Sequence, residues 1–167
     1  MGRYIWLIVV IGLGAIVPVW GQNLKFDSDG HFKIVQFTDV HYVPDNPKSK
    51  TAIQLIEKVL DLENPDLVVL TGDIVTGRPA RIGWDSVLDP ILRRNIPFIV
   101  TLGNHDDEQD LSREQVAELV VSYPLNLNTV RVDNVTGFLN DVFPVMGHLS
   151  DKPALLLYGL DSNSYSS

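Results

Sequence analysis

The bulk properties of the chain are those of one ordinary globular domain. It has 167 residues, 45% of them hydrophobic, and a formal net charge of −8. This length can bury a core, which excludes a small peptide that needs covalent staples. Without cysteine, disulfides and cysteine zinc sites are excluded, so a metal must take its ligands from His, Asp, Glu or Asn. The negative charge would repel a phosphate backbone, so no broad nucleic-acid-binding surface is expected.

The N-terminal segment differs from everything after it. Arg3 is followed by an apolar run from Tyr4 to Val17 that only glycines interrupt. This pattern predicts a signal peptide over residues 1–21, cut after Gly21, and a mature domain over residues 22–167. The protein is then secreted or periplasmic, with no membrane span left after cleavage. The alternative is a retained anchor, because the run approaches the ~20 residues that span a bilayer.

From Phe32 onward, short β-branched runs alternate with helical patterns, which is typical of an α/β fold with a largely parallel sheet. Strands are expected at residues 32–37, 66–70, 97–102 and 154–160. The strand over residues 66–70 is apolar after its first residue, as in a strand buried on both faces. A hairpin is one possible structure for residues 125–150.

Three helices are predicted between and after these strands. The first covers residues 51–62, where Thr51 and Gln54 can form a capping box. The second lies around residues 84–92, where Pro90 should either kink the helix or restart it with Asp89 as N-cap. The third runs from Ser112, which can form a capping box with Gln115, to about residue 122.

A polar cluster follows each of the first three predicted strands. These clusters are Asp39-Val40-His41, Gly72-Asp73 and Gly103-Asn104-His105-Asp106. The carboxyl ends of parallel strands meet at one crevice, where ligands bind in open α/β sheets. Oxygen and nitrogen ligands without sulfur suit Mn²⁺, Fe or Zn²⁺. Each motif alone is more typical of a turn or a helix cap, so the combination carries the prediction of a metal site.

The same residues resemble the signature of the calcineurin-like metallophosphoesterases: D-x-H, then G-D, then G-N-H followed by an acidic residue. The resemblance covers about residues 31–161, and residues 33–41 and 66–73 are similar to the secreted, purple-acid-phosphatase-related branch. It implies an α/β fold that is the N-terminal half of a β-sandwich flanked by helices, and thus an incomplete domain. We therefore expect one face of the strands at 66–70 and 97–102 to lack a cover.

The resemblance also implies the chemistry. Asp39 and His41 would bind a first metal ion, Asp73 would bridge two ions, and Asn104 would bind the second. His105 would be catalytic, as a general acid or a stabiliser of charge on the leaving group. The implied reaction is hydrolysis of a small phosphate mono- or diester by a hydroxide that bridges two ions of Mn, Fe or Zn.

Two departures from the family pattern keep other interpretations open. Thr76 stands where purple members carry an iron-binding tyrosine, and the family's downstream Gly-His-x-His is absent, since Gly147-His148 is followed by Ser150. We predict that His148 lies in a loop, that His31 lies on the surface, and that residues 107–110 form a solvated loop. One alternative is a truncated, inactive fragment. Another is a membrane-tethered binding module.

Overall fold

A computed structural model describes residues 24–165, so the predicted signal peptide lies outside the described residues. This part of the chain contains helices and both parallel and antiparallel strands, which confirms the predicted α/β class. In chain order the elements are β1 (Ile34–Phe37), α1 (Pro47–Glu63), β2 (Leu67–Thr71), α2 (Ala80–Leu92), β3 (Phe98–Thr101), α3 (Arg113–Val121), β4 (Asp141–Met146) and β5 (Pro153–Gly159). Between residues 24 and 165, no helix is long and apolar enough to cross a membrane.

The strands form two sheets. In the first sheet β2 lies between β1 and β3, and both pairings are parallel. The carboxyl ends of β1, β2 and β3 therefore lie at the same edge, as the sequence predicts. The second sheet is the antiparallel hairpin β4–β5. It extends past the residues 125–150 for which a hairpin was considered, because its second strand is the one predicted at 154–160.

The parallel sheet is covered on both faces. Alternate strand residues such as Val68 and Phe98 join the helices in one apolar cluster, while Leu67 and Ile99 face the opposite way. Leu67 and Ile99 pack with Phe143 and other residues of a second cluster, and they are 0% and 3% exposed. The expectation of an uncovered face is therefore wrong, since the β4–β5 hairpin and the segment around Leu24 shield it from water.

The helix boundaries show which capping signals operate. α1 begins at Pro47 rather than Thr51, because the Asn46 side chain accepts a hydrogen bond from the Lys48 N–H and proline is tolerated in the first turn. α2 continues through Pro90 to Leu92, so of the two alternatives considered for Pro90 the restart at Asp89 is wrong. α3 has the predicted Ser112 and Gln115 capping box, with both reciprocal hydrogen bonds present.

Candidate metal centre

Three of the predicted metal ligands converge at the carboxyl edge of the parallel sheet. Asp39 and His41 follow β1, and Asp73 follows β2. His41 Nε2 lies 3.7 Å from Asp39 Oδ1 and 3.9 Å from Asp73 Oδ2. One donor atom from each residue falls within 4.8 Å of the other two, as is required to share a cation. Two carboxylates and an imidazole fit the Mn²⁺, Fe or Zn²⁺ that the sequence suggests.

The backbone at this cluster adopts a conformation that L-residues rarely take. Asp39, His41 and Asp73 have φ values of 53°, 47° and 53°, all in the left-handed region. Hydrogen bonds between the two loops hold this conformation, because the Asp39 N–H donates to Gly72 O and the His41 N–H donates to Asp73 O. The loop after β1 is thus fixed to the loop after β2, and both carboxylates reach the same imidazole.

Two glycines allow the loops after β2 and β3 to touch. Gly72 has a φ of 85°, and a Cβ atom there would lie 2.7 Å from the Gly103 Cα. A Cβ atom on Gly103 would lie 2.2 Å from Asp73 Oδ1. Neither position accommodates a side chain without displacing the Asp73 loop. The sequence predicts these glycines at sharp turns; the structure adds that their close approach is to each other and to Asp73.

Asp106, the fourth residue of the Gly-Asn-His-Asp motif, is a buried support for the site. It is 1% exposed, and its carboxylate accepts four backbone N–H groups: those of Asp73, Ile74, Val75 and Gly103. Burial raises the pKa of the Asp106 carboxyl, and the four hydrogen bonds act in the opposite direction. The side chain therefore fastens the loop after β2 to the loop after β3. Sequence reasoning missed this role, although the acidic residue belongs to the motif.

The loop after β3 brings Asn104 and His105 to the same edge. The His105 N–H donates to Asp73 Oδ1 at 3.0 Å, and the rings of His105 and His41 lie 5.9 Å apart between centroids. His105 Nδ1 lies 2.7 Å from Glu108 Oε2. The Glu108 hydrogen bond raises the pKa of His105, so the ring stays protonated to higher pH than a free imidazole. Asn104 precedes His105 in this loop, and its Nδ2 donates to the Tyr165 hydroxyl.

A buried ion pair holds the same loop from behind. Arg113 Nη2 lies 2.5 Å from Asp161 Oδ1, and the two side chains are 10% and 0% exposed. Arg113 also donates to the carbonyl groups of Leu102 and Gly103, just before Asn104. The pair links the start of α3, the segment after β5 and the loop after β3. It had no signal in the sequence beyond two opposite charges 48 residues apart.

The remaining polar residues behave largely as predicted. His148 is exposed between β4 and β5, and His31 is exposed before β1. Residues 107–110 form a turn-rich, partly exposed segment before the Ser112 cap. Asp110 nevertheless has a structural contact, since its carboxylate accepts the Ala80 N–H at the start of α2.

The sequence of the chain places it in a known protein family. The sequence model of the family described as calcineurin-like phosphoesterase matches residues 32–166. The chain belongs to this family. The match spans β1 to β5 and contains all three polar clusters, so the phosphoesterase fold expected from the motifs is shown for the N-terminal portion.

Relatives in fungi and plants share the phosphoesterase sequence. The chain is 33% identical to the phosphatase DCR2 of Saccharomyces cerevisiae, over 90% of this chain and 30% of the yeast protein. It is 31% identical to the probable inactive purple acid phosphatase 29 of Arabidopsis thaliana, over 95% of this chain and 49% of the plant protein. The chain thus spans less than half the length of these relatives. No solved structure matches it.

Proposed function

We propose that this phosphoesterase chain contributes the Asp39, His41, Asp73 and Asn104 ligands of a metal centre that hydrolyses small phosphate mono- or diesters. The observation that carries the proposal is the convergence of Asp39, His41 and Asp73, whose donor atoms lie within 4.8 Å of one another. Strained backbone at all three residues supports it, because left-handed φ values outside glycine concentrate at functional sites. Family membership supplies the reaction class.

The donor set fits divalent or trivalent cations, and each of the two carboxylates has a neighbour that orients it. The Thr38 hydroxyl donates to Asp39 Oδ2 at 2.6 Å, which leaves Oδ1 facing His41. Asp73 Oδ1 accepts the His105 N–H, while Oδ2 faces His41. In this proposal Asp73 would be the ligand shared by two ions of Mn, Fe or Zn, with Asp39 and His41 on the first ion and Asn104 on the second. Bound cations would supply an activated water molecule near neutral pH and neutralise charge on the phosphate.

His105 is the residue of this chain best placed to assist the departing alcohol. Its Nδ1 is held by Glu108, so Nε2 is the nitrogen left to donate a proton. The Glu108 hydrogen bond is the chief cause of the raised pKa of His105, and it keeps that proton on the ring to higher pH than in a free imidazole. These properties support a general-acid role for His105.

A second candidate is a metal-binding protein without turnover. It is favoured by the names of two plant relatives, the probable inactive purple acid phosphatases 29 and 14 of Arabidopsis thaliana. Against it stands the yeast relative named as a phosphatase. Both candidate functions require the metal centre, but only the first requires catalysis. One experiment that measures metal binding and hydrolysis together therefore distinguishes them.

The test measures Mn²⁺ binding and hydrolysis of aryl phosphate mono- and diesters by the same preparation. We expect Mn²⁺ to bind, hydrolysis to stop with a chelator, and Asp73→Asn to reduce turnover about a hundredfold or more, since even residues behind the ligands account for about 10–100-fold. Thr76→Ala is the control, because Thr76 offers neither carboxylate nor imidazole. Binding without turnover would favour the second candidate. Turnover unaffected by the chelator would contradict both.

The site of action belongs to the same proposal. An apolar N-terminal run after Arg3 favours export, so we propose that the substrate is a small phosphoester met outside the cytoplasm. The mass of the mature N-terminus tests this, with Gln22 as the expected first residue. Recovery of the chain with Met1 retained in the membrane fraction would instead indicate an anchor.

A further inference from the structure

Tyr165 lies at the metal centre, although it is distant in sequence from the three ligand clusters. Its hydroxyl accepts a hydrogen bond from Asn104 Nδ2 at 2.9 Å, across 61 residues of chain. Its ring stands edge-on to His105, with 6.5 Å between the centroids. One side chain therefore touches both functional residues of the loop after β3. The segment that carries it is absent from the family signature on which the sequence analysis relies.

The orientation of the Asn104 amide decides whether it can bind a cation. Its oxygen and nitrogen are nearly the same size, so packing alone barely distinguishes the two orientations, but only the oxygen has a lone pair for a cation. A hydrogen-bond acceptor on the nitrogen side removes this ambiguity. A tyrosine hydroxyl can donate as well as accept, but the Tyr165 hydroxyl is also hydrogen-bonded to the Glu108 carboxylate, which only accepts. The hydroxyl proton therefore points to Glu108, the hydroxyl oxygen accepts from Asn104 Nδ2, and Asn104 Oδ1 is the free atom of the amide.

The chain segment that leads to Tyr165 is anchored at Asp161. Asp161, four residues earlier, has a fully buried side chain that pairs with Arg113 and accepts the N–H groups of Phe138 and Asn163. Arg113 in turn holds the carbonyl groups of Leu102 and Gly103. The two chain segments that carry Asn104 and Tyr165 are thus joined by the same buried ion pair.

We propose that Tyr165 is a positioning residue of the metal centre, which orients the Asn104 amide with Oδ1 toward the cation and packs against His105. The inference rests on the proposed function, because it assigns Asn104 as a ligand. Residues that orient metal ligands typically account for about 10–100-fold in metal affinity. Tyr165→Phe keeps the ring beside His105 and removes only the hydroxyl.

The experiment titrates the full chain with Mn²⁺ and follows free Mn²⁺ by electron paramagnetic resonance. Tyr165→Phe should weaken binding about tenfold, at the low end of the range for such residues, with an unchanged unfolding midpoint in the absence of metal. The matched control is Tyr158→Phe, on β5, because the two tyrosines are 64% and 66% exposed. In an Asn104→Asp background the effect of Tyr165→Phe should shrink, since a carboxylate presents an oxygen in either orientation.

Three other outcomes of this experiment would each contradict a specific claim. Equal Mn²⁺ affinities of Tyr165→Phe and Tyr158→Phe, in a chain whose binding depends on Asp73, would overturn the positioning role alone. A visible phenolate-to-iron absorption band on loading with Fe³⁺, lost in Tyr165→Phe, would show a ligand rather than a positioning residue. No Mn²⁺ binding by the unsubstituted chain, or binding unaffected by Asp73→Asn, would overturn the proposed metal centre and this inference with it.

Discussion

Replacement of Asp106 should destabilise the protein more than replacement of Asp39 or His41, the exposed members of the proposed ligand set. Asp106→Ala leaves four backbone N–H groups without their acceptor, at Asp73, Ile74, Val75 and Gly103. A buried donor left unpaired costs about 1–3 kcal/mol, but a water molecule in the vacated space can satisfy one or two of them. The substitution also removes a buried carboxylate, whose desolvation raises its pKa, and this recovers a further part of the lost stability. We therefore expect a loss of about 2–6 kcal/mol from a typical total of about 5–15 kcal/mol.

Asp106→Asn sharpens this test because it preserves the shape of the side chain. The amide keeps one oxygen and directs an NH₂ group at two backbone donors, so most of the loss should remain. Urea unfolding of the metal-free chain measures both variants, and Asp151→Asn, in the exposed loop between β4 and β5, should change stability by no more than about 0.5 kcal/mol. An Asp106→Asn variant as stable as Asp151→Asn would refute the role assigned to the four hydrogen bonds.

Three further predictions concern His105, Asp161 and His41. Glu108→Gln should lower the pKa of His105 toward its ordinary value of 6.5, because the Glu108 hydrogen bond is the main cause of the raised pKa; an NMR titration checks this, and Glu114→Gln should leave it unchanged. Burial raises the pKa of Asp161, but hydrogen bonds from Arg113 and backbone N–H groups have the larger combined effect, so the pKa lies below the ordinary 3.8. Stability from this carboxylate is therefore present above that pH and lost as pH falls below it, so acid unfolding should be less steep in Asp161→Asn. Finally, His41→Gly should be more stable than His41→Ala by about 0.5–1 kcal/mol in urea unfolding, because glycine accepts the φ of 47°. Equal stabilities would show that this backbone is unstrained.

The α/β order of the fold could be predicted because β2 and β3 are nearly continuous apolar runs between turn residues. The structure buries most of the apolar side chains of both strands. The start of α1 was misjudged although its signal is present: Asn46 followed by Pro47 is a cap and a first-turn proline. β4 escaped prediction because Pro144 interrupts its alternating pattern, and proline in a strand is tolerated at exposed edge positions such as this one.

The candidate ligands could be predicted because they follow strands whose carboxyl ends share one edge. Their supports could not, since the contacts join residues far apart in sequence with no periodic pattern between them. Asp106 reaches the loop after β2 across 31 to 33 residues, and Arg113 reaches Asp161 across 48. The motif marks Asp106 among the acidic residues of this loop, but nothing in the sequence shows that its carboxylate is buried and accepts backbone N–H groups. Only the three-dimensional position separates a buried anchor from a solvated neighbour.

The second face of the parallel sheet is covered, so the described part of the chain has a stabilising contact that the sequence analysis did not expect. Leu67 and Ile99 are shielded by Phe143 and Val145 of β4. Burial of an aliphatic or aromatic side chain contributes about 1.5–3 kcal/mol, so these contacts supply stability that an uncovered sheet would lack.

The strained backbone at the proposed ligands offsets part of that stability. Left-handed φ values at Asp39, His41 and Asp73 cost about 1–2 kcal/mol each, although aspartate tolerates this region better than most residues. A sheet covered on both faces, together with the Asp106 anchor, can hold such loops in place. The strain lies at the proposed metal ligands and the stabilising contacts lie elsewhere, which is the distribution expected where local preference has yielded to the geometry of a functional site.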